Sequence, residues 1–469
     1  MWSARKEQGR KSLPGPELPD HLWSMIAGIV GPKDWARVSG TCKAFHRTQF
    51  RLIEVQSNRL DELVWLSKRW RTAQALLIQP SSLEGNSASA DAEILELMSA
   101  AGALWPHNLR HLSVHAPVGV NYTIFTAVPQ WVQQVLSNTH KLEVLVLNGV
   151  WPVPVAQIPM TALKHLAMTA TDGALPADWA CIESLCCLET LHIAVPIRRS
   201  HGDECSTPAS AMHLLGCSNL RALHVRNLVP ADLAVPATCR VTLQGIVLLT
   251  DVVEITSGFW QGIMAILPAC NVFSTRICRD SQLKILESAL GQPLPKLEEL
   301  ELNCMNISAD KAPLAFEIRG AMPRLTRLSI GNGGALINVF VRSCVHLRSL
   351  SLEGDHGISF TAVHEAAMFR DIEQVEMQWF SGHLELKDTL EVLLQDRSTE
   401  TPIECTLNER EGNFKCLLGS AREGVKWQST SLDMRLSGFS RHPYNCLSIL
   451  KCGACEECLK QAGLLQMYR

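Results

Sequence analysis

Between residues 105 and 380 the apolar positions recur in one order, Leu-x-x-Leu-x-Leu, with Ile, Val or Met replacing Leu mainly at the last position. The unit reads Leu109-Leu112-Val114, Leu142-Leu145-Leu147, Leu163-Leu166-Met168, Leu188-Leu191-Ile193 and Leu220-Leu223-Val225. It continues as Leu243-Ile246-Leu248, Leu297-Leu300-Leu302, Leu325-Leu328-Ile330, Leu347-Leu350-Leu352 and Ile372-Val375-Met377. The alternation within each unit predicts a short strand with every second residue turned to one side, followed by a returning helix or turn. Successive units begin 21 to 33 residues apart, except for one step of 54 between Leu243 and Leu297. That step predicts a degenerate unit near Ala269–Ile277, and Ala73-Leu76-Ile78 is a weaker opening unit. No unit buries its leucines alone, so stacked neighbours must share one core. The predicted fold class is α/β. The turn-rich stretches Ser81–Asp91 and Arg198–Ser210 read as loops inside the array, since the repeat resumes after each.

Ahead of the repeats the period changes. Leu18, Leu22, Met25, Ile26 and Ile29 fall at three- and four-residue steps, the spacing of one helical stripe. Pro19 suits a first helical turn and Asp20 its positive end. Gly31-Pro32 ends that helix and starts another, whose stripe is Trp35, Val38, Cys42 and Phe45. A hairpin this small cannot bury both stripes by itself and requires a partner surface. The chain thus divides into a basic, disordered tail (1–16), the hairpin (17–56), the repeats (57–395, clearest at 105–380) and a cap or tail (396–469).

Composition adds limits. The 469 residues are 46% hydrophobic and 19% charged, as in folded chains. A net charge of -3 gives no reason to expect nucleic acid or an anionic membrane as partner. No apolar run reaches membrane-spanning length, and the N-terminus lacks a secretory apolar stretch, so cytoplasm or nucleus is expected. The 17 cysteines then read as reduced thiols, mostly buried as small hydrophobes. The acceptor patterns at Asn121 and Asn306 carry no glycosylation in that setting.

Catalytic motifs are missing. There is neither a Gly-x-Ser-x-Gly elbow nor a Gly-Lys-Ser/Thr phosphate loop. Gly331-Asn332-Gly333-Gly334 lies where a repeat must turn, and lacks the lysine of a phosphate cradle. His364-Glu365 starts like a zinc-protease helix, but Met368 stands at the second histidine. Cys452, Cys455 and Cys458 share Cys-x-x-Cys spacing, and Cys446 or His442 would complete four metal ligands. The same steps also place three thiols near one face of a helix, where they pack as core. No cofactor and no catalytic residue is expected.

Two resemblances join these features. Leu18-Pro19, Leu22, Ile26, Pro32-Lys33-Asp34, Val38, Cys42-Lys43 and Phe45 closely resemble the F-box motif, over roughly the first fifty residues. His21 replaces a usual acidic residue and Trp35 a usual aliphatic one, with the apolar stripe intact. The repeat resembles the leucine-rich repeat family, although its ninth position is not the usual Asn or Cys (Val150, Thr171, Pro196 and Leu228 stand there). Together they imply a short helical F-box before an irregular horseshoe with parallel strands on its concave face. The implied role is the substrate-recognition subunit of a Skp–cullin–F-box ubiquitin ligase, itself non-catalytic. Leu18, Pro19, Leu22, Ile26, Trp35, Val38, Cys42 and Phe45 would contact a Skp-type adaptor. The alternatives are a repeat scaffold without a ubiquitin role, whose hairpin caps the array, and a small-molecule-dependent receptor of the same architecture.

Within each unit the third, fifth and seventh residues point away from the leucines. Histidine takes such places at His111, His165, His192 and His224, with His115 and Arg226 beside them; later come Glu299, Glu301, Arg327, Glu353 and Glu376. Adjacent strands lie about 4.8 Å apart, so His192 and His224 are expected as neighbours. Such a zone would suit an acidic or phosphorylated protein target. The plainer expectation is a solvated polar face.

Overall fold

The computed structural model describes residues 22–23, 26, 52–55, 74–78, 109–115, 139–148, 162–169, 182, 184–194, 212–226, 233–239, 243–249, 257–277, 280–304, 314–318, 320–332, 337–341, 346–354, 358–359, 373–379, 403–409, 412–418 and 425–428. These form an α/β arrangement dominated by one largely parallel sheet.

The strands, in chain order, begin with β1 (Leu52–Val55), β2 (Ala75–Ile78), β3 (His111–His115), β4 (Val144–Asn148), β5 (His165–Thr169), β6 (Thr190–Ala194) and β7 (Met212–His213). Next come β8 (Ala222–Arg226), β9 (Leu233–Ala234), β10 (Gly245–Leu249), β11 (Val272–Ile277), β12 (Glu299–Cys304), β13 (Leu314–Ile318) and β14 (Arg327–Asn332). The last are β15 (Ile337–Val341), β16 (Ser349–Gly354), β17 (Ile358–Ser359), β18 (Gln374–Trp379), β19 (Ile403–Glu409), β20 (Gly412–Leu418) and β21 (Val425–Gln428). Sixteen of them make the main sheet in strict chain order, β1-β2-β3-β4-β5-β6-β8-β10-β11-β12-β14-β16-β18-β19-β20-β21. Pairing is parallel as far as β19 and antiparallel for β20 and β21.

The register keeps the repeat in phase. Leu112 aligns with Leu145, Leu166, Leu191, Leu223, Ile246, Phe273, Leu300, Leu328 and Leu350 across ten consecutive strands of the sheet. All of these are buried, as are the leading residues Leu109, Leu142, Leu163, Leu188, Leu220, Leu243, Leu297, Leu325 and Leu347. Each buried aliphatic side chain contributes about 1.5–3 kcal/mol, so the leucine face is the dominant source of stability.

A backbone device fixes this register whatever the side chains. The N–H groups of the second and third residues of each unit both donate to the carbonyl of the second residue of the preceding one. Glu143 and Val144 donate to Arg110 at 2.7 and 2.9 Å, Lys164 and His165 to Glu143, and Glu298 and Glu299 to Asn271; the last such pair is Glu373 and Gln374 on Arg348. Ahead of each clamp, a tight turn brings in the leading residue, as where Leu188 N–H donates to Leu185 O and Leu325 N–H to Met322 O. Buried thiols reinforce the turns: Cys217 Sγ donates to Ile182 O and Cys239 Sγ to Cys217 O, linking successive units at 3.3 and 3.5 Å.

The long step between Leu243 and Leu297 holds β11, with Cys270, Phe273 and Thr275 in the three leucine places. The sheet also extends beyond the repeats recognised in the sequence. Strand β1 aligns Ile53 and Val55 with Leu76 and Ile78, within the segment assigned to the hairpin. After residue 396, β19 continues the parallel order.

Among the described residues, outside the main sheet lie two short parallel sheets, β7-β9 and β13-β15-β17, and the helices α1 (Ser257–Ile266) and α2 (Asp280–Leu290). Phe259, Ile263 and Ile266 form the buried stripe of α1; Leu286, Ala289 and Leu290 form that of α2. Helix α1 packs on β9 so closely that a Cβ on Gly262 would lie 2.4 Å from Leu233 O, which requires glycine there. Gly331 belongs to strand β14 rather than to a turn; it is buried, and its missing side chain leaves room for Asn303 of β12. Among the described residues no helix is long and apolar enough to cross a membrane.

Candidate functional site

The candidate site is the face of the main sheet opposite the leucines, because alternation leaves the third and fifth residues of every unit there. From β3 to β8 this face carries His111, Ser113, Val144, Val146, His165, Ala167, Thr190, His192, Ala222 and His224. Most are buried, including His111 at 3% and His224 at 4% exposure. Val144, Val146 and Ala167 form a buried apolar cluster of their own. The solvated polar face expected from the sequence is therefore absent from this half. Its small and aliphatic residues favour packing over hydration.

His165 and His192 are half-buried between these neighbours. The register sets His165 beside Thr190, and His165 Nδ1 lies 2.9 Å from Thr190 Oγ1. Burial, partly opposed by the Glu189 carboxylate, holds the His165 imidazole below its ordinary range, so it is neutral at pH 7. His192 and His224 are register partners, with ring centroids 5.7 Å apart and planes tilted by 34°. His224 Nε2 is buried and makes no hydrogen bond among the described residues. Arg226 ends the same strand, aligned with Ala194 and Leu249.

From β11 to β16, Val272 apart, the same positions turn polar. Ser274 Oγ donates to Glu301 at 3.0 Å, and Arg327 pairs with Glu299, each across one register step. Glu301 and Arg327 are exposed and Glu299 is half-buried. The structure therefore does not bring the eight candidate face residues together. His165, His192 and His224 lie on three consecutive sheet strands, His111 two strands before them, and Glu299, Glu301 and Arg327 beyond β11.

Of the hairpin residues, Leu22 and Ile26 are helical and half-buried, as is Trp23. Leu18, Pro19, Trp35, Val38, Cys42 and Phe45 lie outside the described residues, as do His364, Glu365, His442, Cys446, Cys452, Cys455 and Cys458. Glu353 and Glu376 sit in β16 and β18, and His115 ends β3. Among the described residues no group of three or more His, Cys, Asp or Glu is arranged to hold a metal ion.

One charged feature escaped the sequence reading. The second residues of successive units form an alternating row along the incoming edge of the sheet: Arg110, Glu143, Lys164, Glu189 and Arg221. Arg110 and Lys164 both reach Glu143, at 3.2 and 3.3 Å, and Arg221 approaches Glu189 at 3.8 Å. The alternation was visible once positions are counted from each leading leucine. Such exposed pairs contribute about 0–1 kcal/mol each and mainly favour the correct neighbour. No protein-family model matches the chain, and no curated protein matches it.

Proposed function

We propose that the chain is the substrate-recognition subunit of a Skp–cullin–F-box ubiquitin ligase, with an N-terminal F-box and a leucine-rich-repeat solenoid. The observation that carries the reading is the set of spaced positions Leu18-Pro19, Leu22, Ile26, Val38, Cys42 and Phe45, two apolar stripes in need of a partner. The helical state of Leu22 and Ile26 agrees with it. The repeat half draws support from the in-order parallel strands, their common register and the continuous buried leucine row.

In this reading the hairpin docks a Skp-type adaptor through Leu18, Pro19, Leu22, Ile26, Trp35, Val38, Cys42 and Phe45. The opposite face, concave in a solenoid, holds a protein target. The chain performs no bond chemistry. It raises the effective concentration of a target lysine near ubiquitin activated by other subunits, in the cytoplasm or nucleus. The test is co-purification with a Skp-type adaptor and its loss in Leu18→Ala with Leu22→Ala. Failure of the intact chain to retain any adaptor would leave the scaffold reading. For the target, His192→Ala with His224→Ala should reduce capture while adaptor binding survives; unchanged capture would exclude the histidine zone as reader.

A further inference from the structure

Five cysteines among the described residues stand outside any disulfide, and they fall into two classes. Cys217, Cys239 and Cys270 are buried, and each thiol donates to a backbone carbonyl. Burial pushes the Cys270 thiol up to about 12, and all three side chains are packed in the core. Cys186 and Cys187 differ. They are adjacent in the turn that leads into β6, with Cys186 exposed and Cys187 half-buried.

That turn is held firmly. Leu185 N–H donates to Ile182 O, Cys186 N–H to Ser184 O and Leu188 N–H to Leu185 O, each at 3.0 Å. Leu185 and Leu188 are buried anchors on either side of the pair. From the next unit, Asn219 Nδ2 donates to Cys186 O at 3.0 Å. Adjacent Cα atoms are no more than about 3.8 Å apart across a peptide bond, whereas relaxed disulfides need about 4.4–6.8 Å. Closing a direct S–S bond would have to distort this pinned turn. A single larger atom bridging the two sulfurs relieves that constraint, because it lengthens the link between them.

We propose that Cys186 and Cys187 form a vicinal dithiol that chelates one soft, trivalent thiophilic centre through both sulfurs. With an arsonous acid, two S–H bonds and two As–OH bonds break, two S–As bonds form and two waters leave. No oxidation state changes, so neither oxidant nor reductant is needed. Burial, with the neighbouring Cys186 side chain second, raises the Cys187 thiol, which favours the neutral dithiol over a freely oxidised thiolate. The site is independent of the proposed ligase role.

The probe is phenylarsine oxide, added to the full chain with Cys452, Cys455 and Cys458 changed to Ser so that the other closely spaced thiols do not compete. Intact mass and peptide mapping should place one phenylarsenic group on the peptide containing 186 and 187. It should survive excess monothiol and be released by 1,2-ethanedithiol. Cys186→Ser and Cys187→Ser should each weaken retention about a hundredfold, the gain from making the second bond intramolecular. Both changes lie in an exposed turn, and an unchanged thermal transition confirms that the variants fold. The proposal is overturned if either single variant holds the group as tightly as the parent, if monothiol strips it from the parent, or if mild oxidation converts the pair to a disulfide before the reagent binds.

Discussion

Strands β3–β8 and strands β11–β16 share one leucine face and differ on the other. In both regions the fourth residue of each unit is buried in common register. On the opposite face the first region places Val144, Val146, Ala167, Ala222 and the histidines, and it is packed. The second places Ser274, Glu299, Glu301 and Arg327, which meet one another through a hydrogen bond and an ion pair and leave Glu301 and Arg327 in solvent. The leucines and backbone clamps therefore set the scaffold, while the residues between them decide whether a stretch of the second face is core or surface. As surfaces for the proposed target, the β11–β16 half offers accessible charge and the β3–β8 half offers shape and the neutral imidazole of His165.

A charge placed on the packed half should have the largest effect. Val146→Asp, at 8% exposure, should cost about 4 kcal/mol in urea denaturation, because its carboxylate is buried without a partner. The register-equivalent Ser329→Asp should change stability by no more than about 0.5 kcal/mol. The leucine face supplies the control. Leu145→Ala and Leu328→Ala should each cost about 3 kcal/mol, since both are buried in the same ladder place. A large difference between those two would mean that the regions differ in their shared core as well.

Acid should act on the packed half first. The folded-state pKa of His165 lies below its ordinary 6.5, so the unfolded chain takes up the proton first as pH falls. Stability from this residue is complete above that value and is lost below it, by at most about 1.4 kcal/mol per pH unit. His165→Gln, which retains a partner for Thr190, should flatten the pH dependence of the unfolding free energy below 6.5. Strands β12, β14 and β16 carry no histidine and should add no such slope. A smaller effect, of opposite sign, lies at the junction. Thr275 occupies a leucine place in β11, and its buried hydroxyl makes no hydrogen bond among the described residues. Thr275→Val should stabilise the chain by about 1 kcal/mol in the same denaturation assay.

Much of the scaffold was legible in the sequence, because burial of a leucine repeats with the unit and leaves a period. Strand β11 was visible only as a gap of double length, since Cys270, Phe273 and Thr275 break the leucine pattern while keeping its spacing. Strands β1 and β19 were missed for a related reason: Ile53 with Val55, and Cys405 with Leu407, are single units at the ends with no flanking period to mark them. The proximity of His192 and His224 followed from counting positions, but the burial of His224 did not. A histidine alternating with leucines reads alike on a solvated or a packed face, and residues distant in sequence decide between them. The backbone clamp was not legible at all, because it uses N–H and C=O groups that every unit possesses.

The proposed adaptor contact rests on the two apolar stripes spaced along residues 18–45 of the sequence. Calorimetric titration of the purified chain with a Skp-type adaptor tests it most directly. A one-to-one complex with a dissociation constant of about 1 μM or tighter is expected. Leu18→Ala with Leu22→Ala should weaken binding about a hundredfold without lowering the unfolding transition of the repeats. No heat of binding at about 100 μM adaptor, or equal affinity in the double variant, would contradict it.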